Sequence, residues 1–275
     1  MFCFKIVGRS EGGEKMAEEL LPLKTVRNPR DLGGYTGFAG RKIKAGLLLR
    51  TGTVAAISEE DGNYLRARGV KTIIDLRSPQ ECRKRPDKKL AGIQNVNIPV
   101  NSRDQTKAGA SLAELARQYG LDPLAGFRHM VESYRLMVTE EHAQAAFGQV
   151  LAYLAETEGG TIYHCSEGKD RTGLVTVFLL TVLGVDPETI RQDYLLSAPY
   201  LNDYRAKRDK EARENGESLV QRANLRSLGT VNNEYLDSAL ITIDQEYGGM
   251  EAFLTRQLGV TPVLRDQLRA KYLEE

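Results

Sequence analysis

The sequence predicts an α/β fold, a central and mostly parallel sheet flanked by helices, with a helical cap or lid toward the C-terminus. Three observations carry this. Val70-Lys71-Thr72-Ile73-Ile74-Asp75-Leu76 is a β-branched run preceded by a short helical pattern, and such near-continuous apolar runs are typical of buried parallel strands. Thr161-Ile162-Tyr163-His164-Cys165 repeats that pattern and is followed, after a glycine-containing loop, by a strongly apolar helix. From Pro199 to Glu275 nearly every segment has helical periodicity. Helix and strand in alternation define the α/β class.

The elements follow in order. Residues 1–24 lack a clear period and read as a loose arm. Asn28-Pro29-Arg30-Asp31-Leu32-Gly33-Gly34-Tyr35 is turn chemistry, proline fixing φ and paired glycines permitting positive φ. Short strands should flank it and end in Gly46-Leu47-Leu48-Leu49-Arg50. Ser58 can cap a helix with Asp61 three residues on and Gly69 past its end. Residues 82–92 are basic and turn-rich and read as a solvated loop, and 101–110 as a surface loop. Two or three helices are expected over 112–156, stopped by Gly159-Gly160. Asp186-Pro187 and Thr261-Pro262 place cap and first-turn proline where helices prefer them. Residues 25–275 therefore read as one domain, with 197–230 either an exposed salt-bridged helical stretch or a lid.

Composition narrows the function classes. A chain of 275 residues with 41% hydrophobic residues and a formal charge of +1 has no global field to draw nucleic acid or an acidic membrane. Cys3, Cys82 and Cys165 are three and far apart, which suits neither a disulfide framework nor a paired zinc site and favours a reducing compartment. The apolar run 174–185 is shorter than the roughly 20 residues of a membrane span. The segment 1–8 is too short for a signal peptide. A cytoplasmic location is expected, export without a cleavable signal being left open.

The chemistry is concentrated in His164-Cys165-Ser166-Glu167-Gly168-Lys169-Asp170-Arg171-Thr172-Gly173, a cysteine and an arginine separated by five residues between a strand and a helix. A loop curling into a helix N-terminus aims successive N–H groups at one point, where the helix dipole adds partial positive charge; a phosphate dianion suits that point. The same field favours thiolate over thiol, making Cys165 a nucleophile. Arg171 offers a planar fork for two phosphate oxygens. Ser166, Glu167, Gly168, Lys169, Asp170 and Arg171 form the phosphate loop, with Gly168 allowing close backbone approach. Thr172 can donate to the sulfur as it leaves, and His164 should fix the loop from behind. A leaving oxygen needs a proton, for which Asp170 in the loop and Asp75 at the neighbouring strand end are both candidates; Asp75 can equally be a structural acceptor. Lys169 is either an added phosphate-binding cation or a solvated lysine. No metal or cofactor is called for. Two rivals stand beside a phosphatase: a phosphate-binding module without turnover, and a sulfurtransferase or arsenate-reductase-like enzyme, which would need a resolving thiol.

The stretch from His164 to Gly173 resembles the signature of the cysteine-based protein tyrosine phosphatase superfamily, and its Gly-Lys-Asp-Arg-Thr-Gly variant is similar to that of bacterial tyrosine/serine phosphatases with members in mycobacteria and Listeria. The resemblance extends to Asn28 through Tyr35, Leu48-Leu49-Arg50-Thr51-Gly52, Ile74-Asp75-Leu76-Arg77-Ser78, the stretch from Tyr235-Leu236 to Tyr247-Gly248, and Leu258-Gly259-Val260-Thr261. It implies a cysteine-phosphatase fold and hydrolysis of phosphotyrosine, phosphoserine or phosphothreonine in proteins, and of phosphoinositides, through a phosphocysteine. It also implies Asp170 as acid and Lys169 as the basic position of lipid-active loops. Pro29, where relatives carry an aromatic residue, and Ser166-Glu167 depart from the family pattern, and the Glu167 charge should disfavour highly anionic lipids.

Overall fold

A computed structural model describes residues 19–101 and 119–275. Its centre is a six-stranded sheet in the order β1-β2-β3-β6-β4-β5, built from β1 (Glu19–Leu20), β2 (Arg30–Asp31), β3 (Leu48–Thr51), β4 (Val70–Asp75), β5 (Gln94–Asn97) and β6 (Gly160–His164). β3, β6, β4 and β5 run parallel, while β1 and β2 add an antiparallel edge beyond β3. The α/β architecture with a mostly parallel sheet is as expected.

Period-two alternation divides the core between the two sheet faces. Leu49, Ile73 and Ile162 point to a smaller cluster closed by Leu65 of helix α1 (Glu59–Ala67) with Leu21, Leu23 and Leu90. Their neighbours Leu48, Ile74 and Tyr163 point to the larger cluster. There α5 (Arg171–Val182) lies against the sheet and is buried almost all round, because α4 (Glu141–Glu156) and the C-terminal helices wrap its outer side. Phe178 meets Phe147 and Phe253 with ring centroids 5.1 and 5.6 Å apart. The apolar run around α5 is thus a buried core helix, and no helix among the described residues is long and apolar enough to cross a membrane.

The remaining helices are α2 (Pro79–Lys84), α3 (Ala125–Thr139), α6 (Pro187–Tyr200), α7 (Asn202–Glu214), α8 (Leu219–Leu228), α9 (Asn233–Tyr247), α10 (Met250–Arg256) and α11 (Pro262–Tyr272). Ser58, Asp186 and Thr261 cap their helices through side-chain oxygens as the sequence predicts.

Three expectations need correction or limits. Residues 19–24, the end of the stretch read as a loose arm, are held: β1 pairs with β2, and Leu21 and Leu23 at alternate positions enter the smaller core; residues 1–18 lie outside the described residues. The segment 82–92 is not simply a solvated loop. Cys82, Arg83 and Lys84 belong to α2, and Asp87 is drawn inward by Arg77 and His164. β5 has mixed polar composition, so no apolar period announces it, and it is held by backbone pairing with β4. The surface loop expected over 101–110 and the start of the helical region near 112 lie outside the described residues, except Asn101.

Candidate active site

Thr51, Asp75 and His164 are in register across β3, β4 and β6, so the segment after His164 emerges at the carboxyl edge of the parallel strands, where open α/β sheets bind ligands. The turn depends on Gly168, whose φ is +70° and on which a Cβ would lie 2.4 Å from the Thr51 backbone. The loop therefore rests directly on the end of β3. Its carbonyls are held from that side: Thr53 N–H donates to Ser166 O (3.1 Å), and Asn28 Nδ2 and Arg50 Nη2 donate to Gly168 O (2.8 and 2.9 Å).

Buried charges fix this backing. Arg50 Nη1 lies 2.6 Å from Asp193 Oδ2, and Arg30 Nη1 donates to the Asp193 carbonyl at 3.0 Å. Arg30 Nη2 and Asn28 Nδ2 both reach the Ser197 hydroxyl. Arg30, Asn28 and Ser197 thus tie the N-terminal turn, the loop and α6 together.

Cys165 follows β6 and lines a cavity of about 230 Å3 together with Ser166, Glu167, Lys169, Asp170 and Arg171. Helix α3 supplies Met130 and Ser133 to the wall, and Tyr204 and Arg208 of α7 close the other side. The Arg171 guanidinium is gripped edge-on by Glu81, with Nη1–Oε2 2.7 Å and Nη2–Oε1 2.8 Å. Among the described residues its Nε is buried without a partner, and so is the Thr172 hydroxyl. Glu81 also accepts from the Ser166 hydroxyl (2.8 Å) and the Ser78 N–H (2.9 Å). Burial alone would raise the Glu81 pKa, but the Arg171 hydrogen bonds and charge outweigh it and hold the carboxyl at about 2.

His164 stands behind the loop, Nδ1 at 3.0 Å from Cys165 O and Nε2 at 2.8 Å from Asp87 Oδ2. Burial disfavours its charged form, yet Asp87 and Asp75 raise its pKa above the ordinary value. Asp75 receives the Arg77 fork, at 2.9 Å from Nε and 2.7 Å from Nη2, and also the Arg77 N–H. It does not line the cavity. Asp170 does: its carboxylate takes Lys169 Nζ at 2.7 and 2.6 Å and the Tyr134 hydroxyl at 2.9 Å. Lys169 is 2% exposed, so it is an internal cation rather than a solvated one.

A sequence model described as the tyrosine phosphatase family matches residues 21–274. The chain belongs to this family. A Cupriavidus necator protein, whose name as a tyrosine-protein phosphatase is provisional, is 31% identical over 257 residues, covering 92% of this chain and 88% of its own. The Mycobacterium tuberculosis triple specificity protein phosphatase PtpB is 27% identical over 275 residues, 89% of this chain and 99% of its own. A tyrosine-protein phosphatase of Nostoc commune is 28% identical over 233 residues, 83% and 75% of the two chains. The molecule is accordingly a protein-tyrosine phosphatase.

In this phosphatase every residue of the segment from Cys165 to Arg171 except Gly168 lines the cavity, and Gly168 shapes the turn. Cys82 stands apart from that lining: its thiol donates to Asp75 at 3.1 Å, and burial first, then Asp75, push its pKa up to about 12. A thiol so held is a poor resolving nucleophile. Cys3 lies outside the described residues. The functional partners that sequence reasoning missed are Glu81, Asp87, Asp193, Ser197 and Tyr134. Only Glu81 carried a local signal: Ser78-Pro79-Gln80-Glu81 has the spacing of a capping box, and both of its reciprocal bonds are present.

Proposed function

We propose that this phosphatase hydrolyses phosphate monoesters through a covalent phosphocysteine on Cys165. With the loop carbonyls held from behind, the intervening N–H groups are left for the cavity, and they and the Arg171 edge at Nε receive the three non-bridging phosphate oxygens. The Cys165 thiolate attacks phosphorus; the S–P bond forms as the ester P–O bond breaks, and protonated Asp170 delivers its proton to the leaving oxygen. Water then attacks phosphorus, the S–P bond breaks, and Asp170 takes back the water proton. The unpartnered Thr172 hydroxyl is suited to stabilise the departing thiolate. Asp170 is preferred to Asp75 as the acid because Asp170 lines the cavity, whereas Asp75 is committed to Arg77. Lys169, held at the Asp170 carboxylate and lining the same cavity, adds a second cation to the phosphate site.

The observation that carries this reading is the conjunction, in one cavity, of Cys165 with a buried arginine whose Nε has no partner among the described residues. A phosphate-binding module without turnover would not need the Asp170 carboxyl in the same cavity as the thiol. The substrates proposed are phosphotyrosine, then phosphoserine and phosphothreonine, a breadth that the triple specificity of the mycobacterial relative supports. Phosphoinositides come last, since the Glu167 carboxylate opposes highly anionic headgroups. The thiolate chemistry fits a reducing, cytoplasmic setting. Helices α7 and α8 act as the lid, because Tyr204, Arg208 and Leu228 wall the cavity.

Cys165→Ser should abolish turnover of an aryl phosphate while retaining phosphate binding; undiminished turnover would remove the nucleophile assignment. A panel of phosphotyrosine, phosphoserine and phosphoinositide substrates, each run with and without chelator, ranks the substrates and should show activity surviving chelation.

A further inference from the structure

Beyond the catalytic cavity, and separated from it by Arg208 and Gly229, which line both, lies a second and smaller cavity of about 20 Å3 between α7 and α8. Its wall holds four arginines, Arg205, Arg208, Arg222 and Arg226, and one carboxylate, Asp209. Asp209 is taken by Arg222, which grips it at 3.0 and 2.8 Å, while Arg226 stays 4.0 Å away. Arg208 donates to the Tyr204 hydroxyl at 3.1 Å, a neutral acceptor. Arg205 donates through Nη2 to the Ala198 carbonyl at 2.6 Å and to Asn202 Oδ1, and its Nη1 is buried with no partner among the described residues.

Like charges gathered with a single counterion are unfavourable in the free protein, and a buried guanidinium nitrogen without an acceptor costs more still. Burial first and then Arg226 push the Arg205 pKa below its ordinary value, consistent with a site short of negative charge. The exposed face of α7 carries its own pairs within the helix, at Lys207–Glu211 and Lys210–Glu214, so the arginines gathered at the cavity are not part of that ladder. The volume admits one oxygen-sized group, which needs roughly 10–15 Å3, with the rest of an oxyanion outside.

We propose that this basic depression binds the phosphate of a second phosphorylated side chain on a peptide whose phosphotyrosine occupies the catalytic loop. The assignment rests on the loop around Cys165 being the phosphotyrosine site. One phosphate oxygen enters toward Arg205 Nη1, and Arg226 and Arg208 flank the others, giving charge-assisted hydrogen bonds. The rim between the two cavities decides the ligand class. Two phosphates on one small ring would share the catalytic cavity, whereas a group beyond the rim of Arg208 and Gly229 suits a side chain some residues along a flexible chain.

The test uses the full-length protein and a phosphotyrosine peptide, alone and in a series with phosphoserine two to five residues to either side. Turnover gives KM for each, and the Cys165→Ser protein gives Kd. The best doubly phosphorylated peptide should show KM and Kd roughly tenfold lower than the singly phosphorylated one, about 1.4 kcal/mol. Adding free phosphoserine to the singly phosphorylated peptide should not reproduce the gain. Arg226→Gln and, as a charge reversal at a 67% exposed side chain that should not affect folding, Arg226→Glu should bring the ratio to about one. Equal constants for all peptides in the wild-type protein, or a preference that survives both substitutions, would overturn the site. An Arg226-dependent gain of the same size for a soluble inositol bisphosphate would overturn the peptide assignment. If Cys165→Ser still turns over substrate, the nucleophile fails, while the peptide ratio continues to judge the second cavity.

Discussion

Glu81 decides how the Arg171 guanidinium is presented to the cavity. A guanidinium buried to 2% exposure would be costly alone, and the Glu81 fork both neutralises it and fixes its plane, leaving Nε toward the cavity. Glu81→Gln removes the charge and sets an amide N–H against a guanidinium N–H. The expected result is a loss of about 3 kcal/mol of stability and a fall in kcat/KM of about 100-fold, read by denaturant unfolding and steady-state kinetics. The pH dependence has a definite sign. The carboxyl is depressed from 4.5 to about 2, so its contribution is fully present above pH 4.5 and is lost as pH falls toward 2. That contribution is on the order of 3 kcal/mol, and the acid limb of the stability profile should flatten over this window in Glu81→Gln. Equal slopes in the two proteins would show that the pair does not set acid stability. Cys165, Arg171 and Asp170 were legible because one short segment fixes their spacing. Glu81 lies 90 residues from Arg171 in the chain, so its capping-box signal announces a helix start and says nothing of the arginine it meets. Asp87 was hidden in the same way, inside a basic stretch whose composition reads as solvent-exposed.

At the scale of elements, the loop between β6 and α5 works because it lies flat on the end of β3. Gly168 permits this twice, by its φ of +70° and by having no Cβ where the Thr51 carbonyl carbon and oxygen sit 2.4 Å away. Gly168→Ala should cost roughly 1–2 kcal/mol for the backbone alone and must also lift the loop from β3. Because the Gly168 carbonyl is the anchor for Arg50 and Asn28, the displacement misdirects the amides. Activity on a generic aryl phosphate should fall by more than about 100-fold with phosphate affinity lost in parallel; retained phosphate affinity would mean that the amides do not depend on this contact. The strands and helices with clear periods, β3, β4, β6, α1 and α5, could be read in advance. β1 and β2, two residues each, and the mixed-polarity β5 could not, since pairing with β3 and β4 holds them more than composition does.

The molecule as a whole joins a sheet whose edge carries the segment from Cys165 to Arg171 to helices that wall the cavity in front of it. Helix α7 is tied to the site through Tyr204, whose hydroxyl donates to Glu167 Oε1 at 3.0 Å, with the Arg27 guanidinium 4.0 Å above the same ring. The rest of α7 is lightly held, with Ala212 its one buried residue. The Glu167 side chain is therefore engaged with α7, and its charge near the cavity is partly answered by that hydrogen bond. Tyr204→Phe keeps the ring and its contact with Arg27 and removes only the tie. If α7 must move for a large substrate to enter, the variant should raise kcat/KM for a phosphopeptide several-fold and leave a small aryl phosphate within twofold. Amide exchange over 202–214 should quicken at the same time, because a helix released from its tie opens more often. A uniform change for both substrates, with exchange over α7 unaltered, would show that Tyr204 shapes the cavity wall and that access is controlled elsewhere.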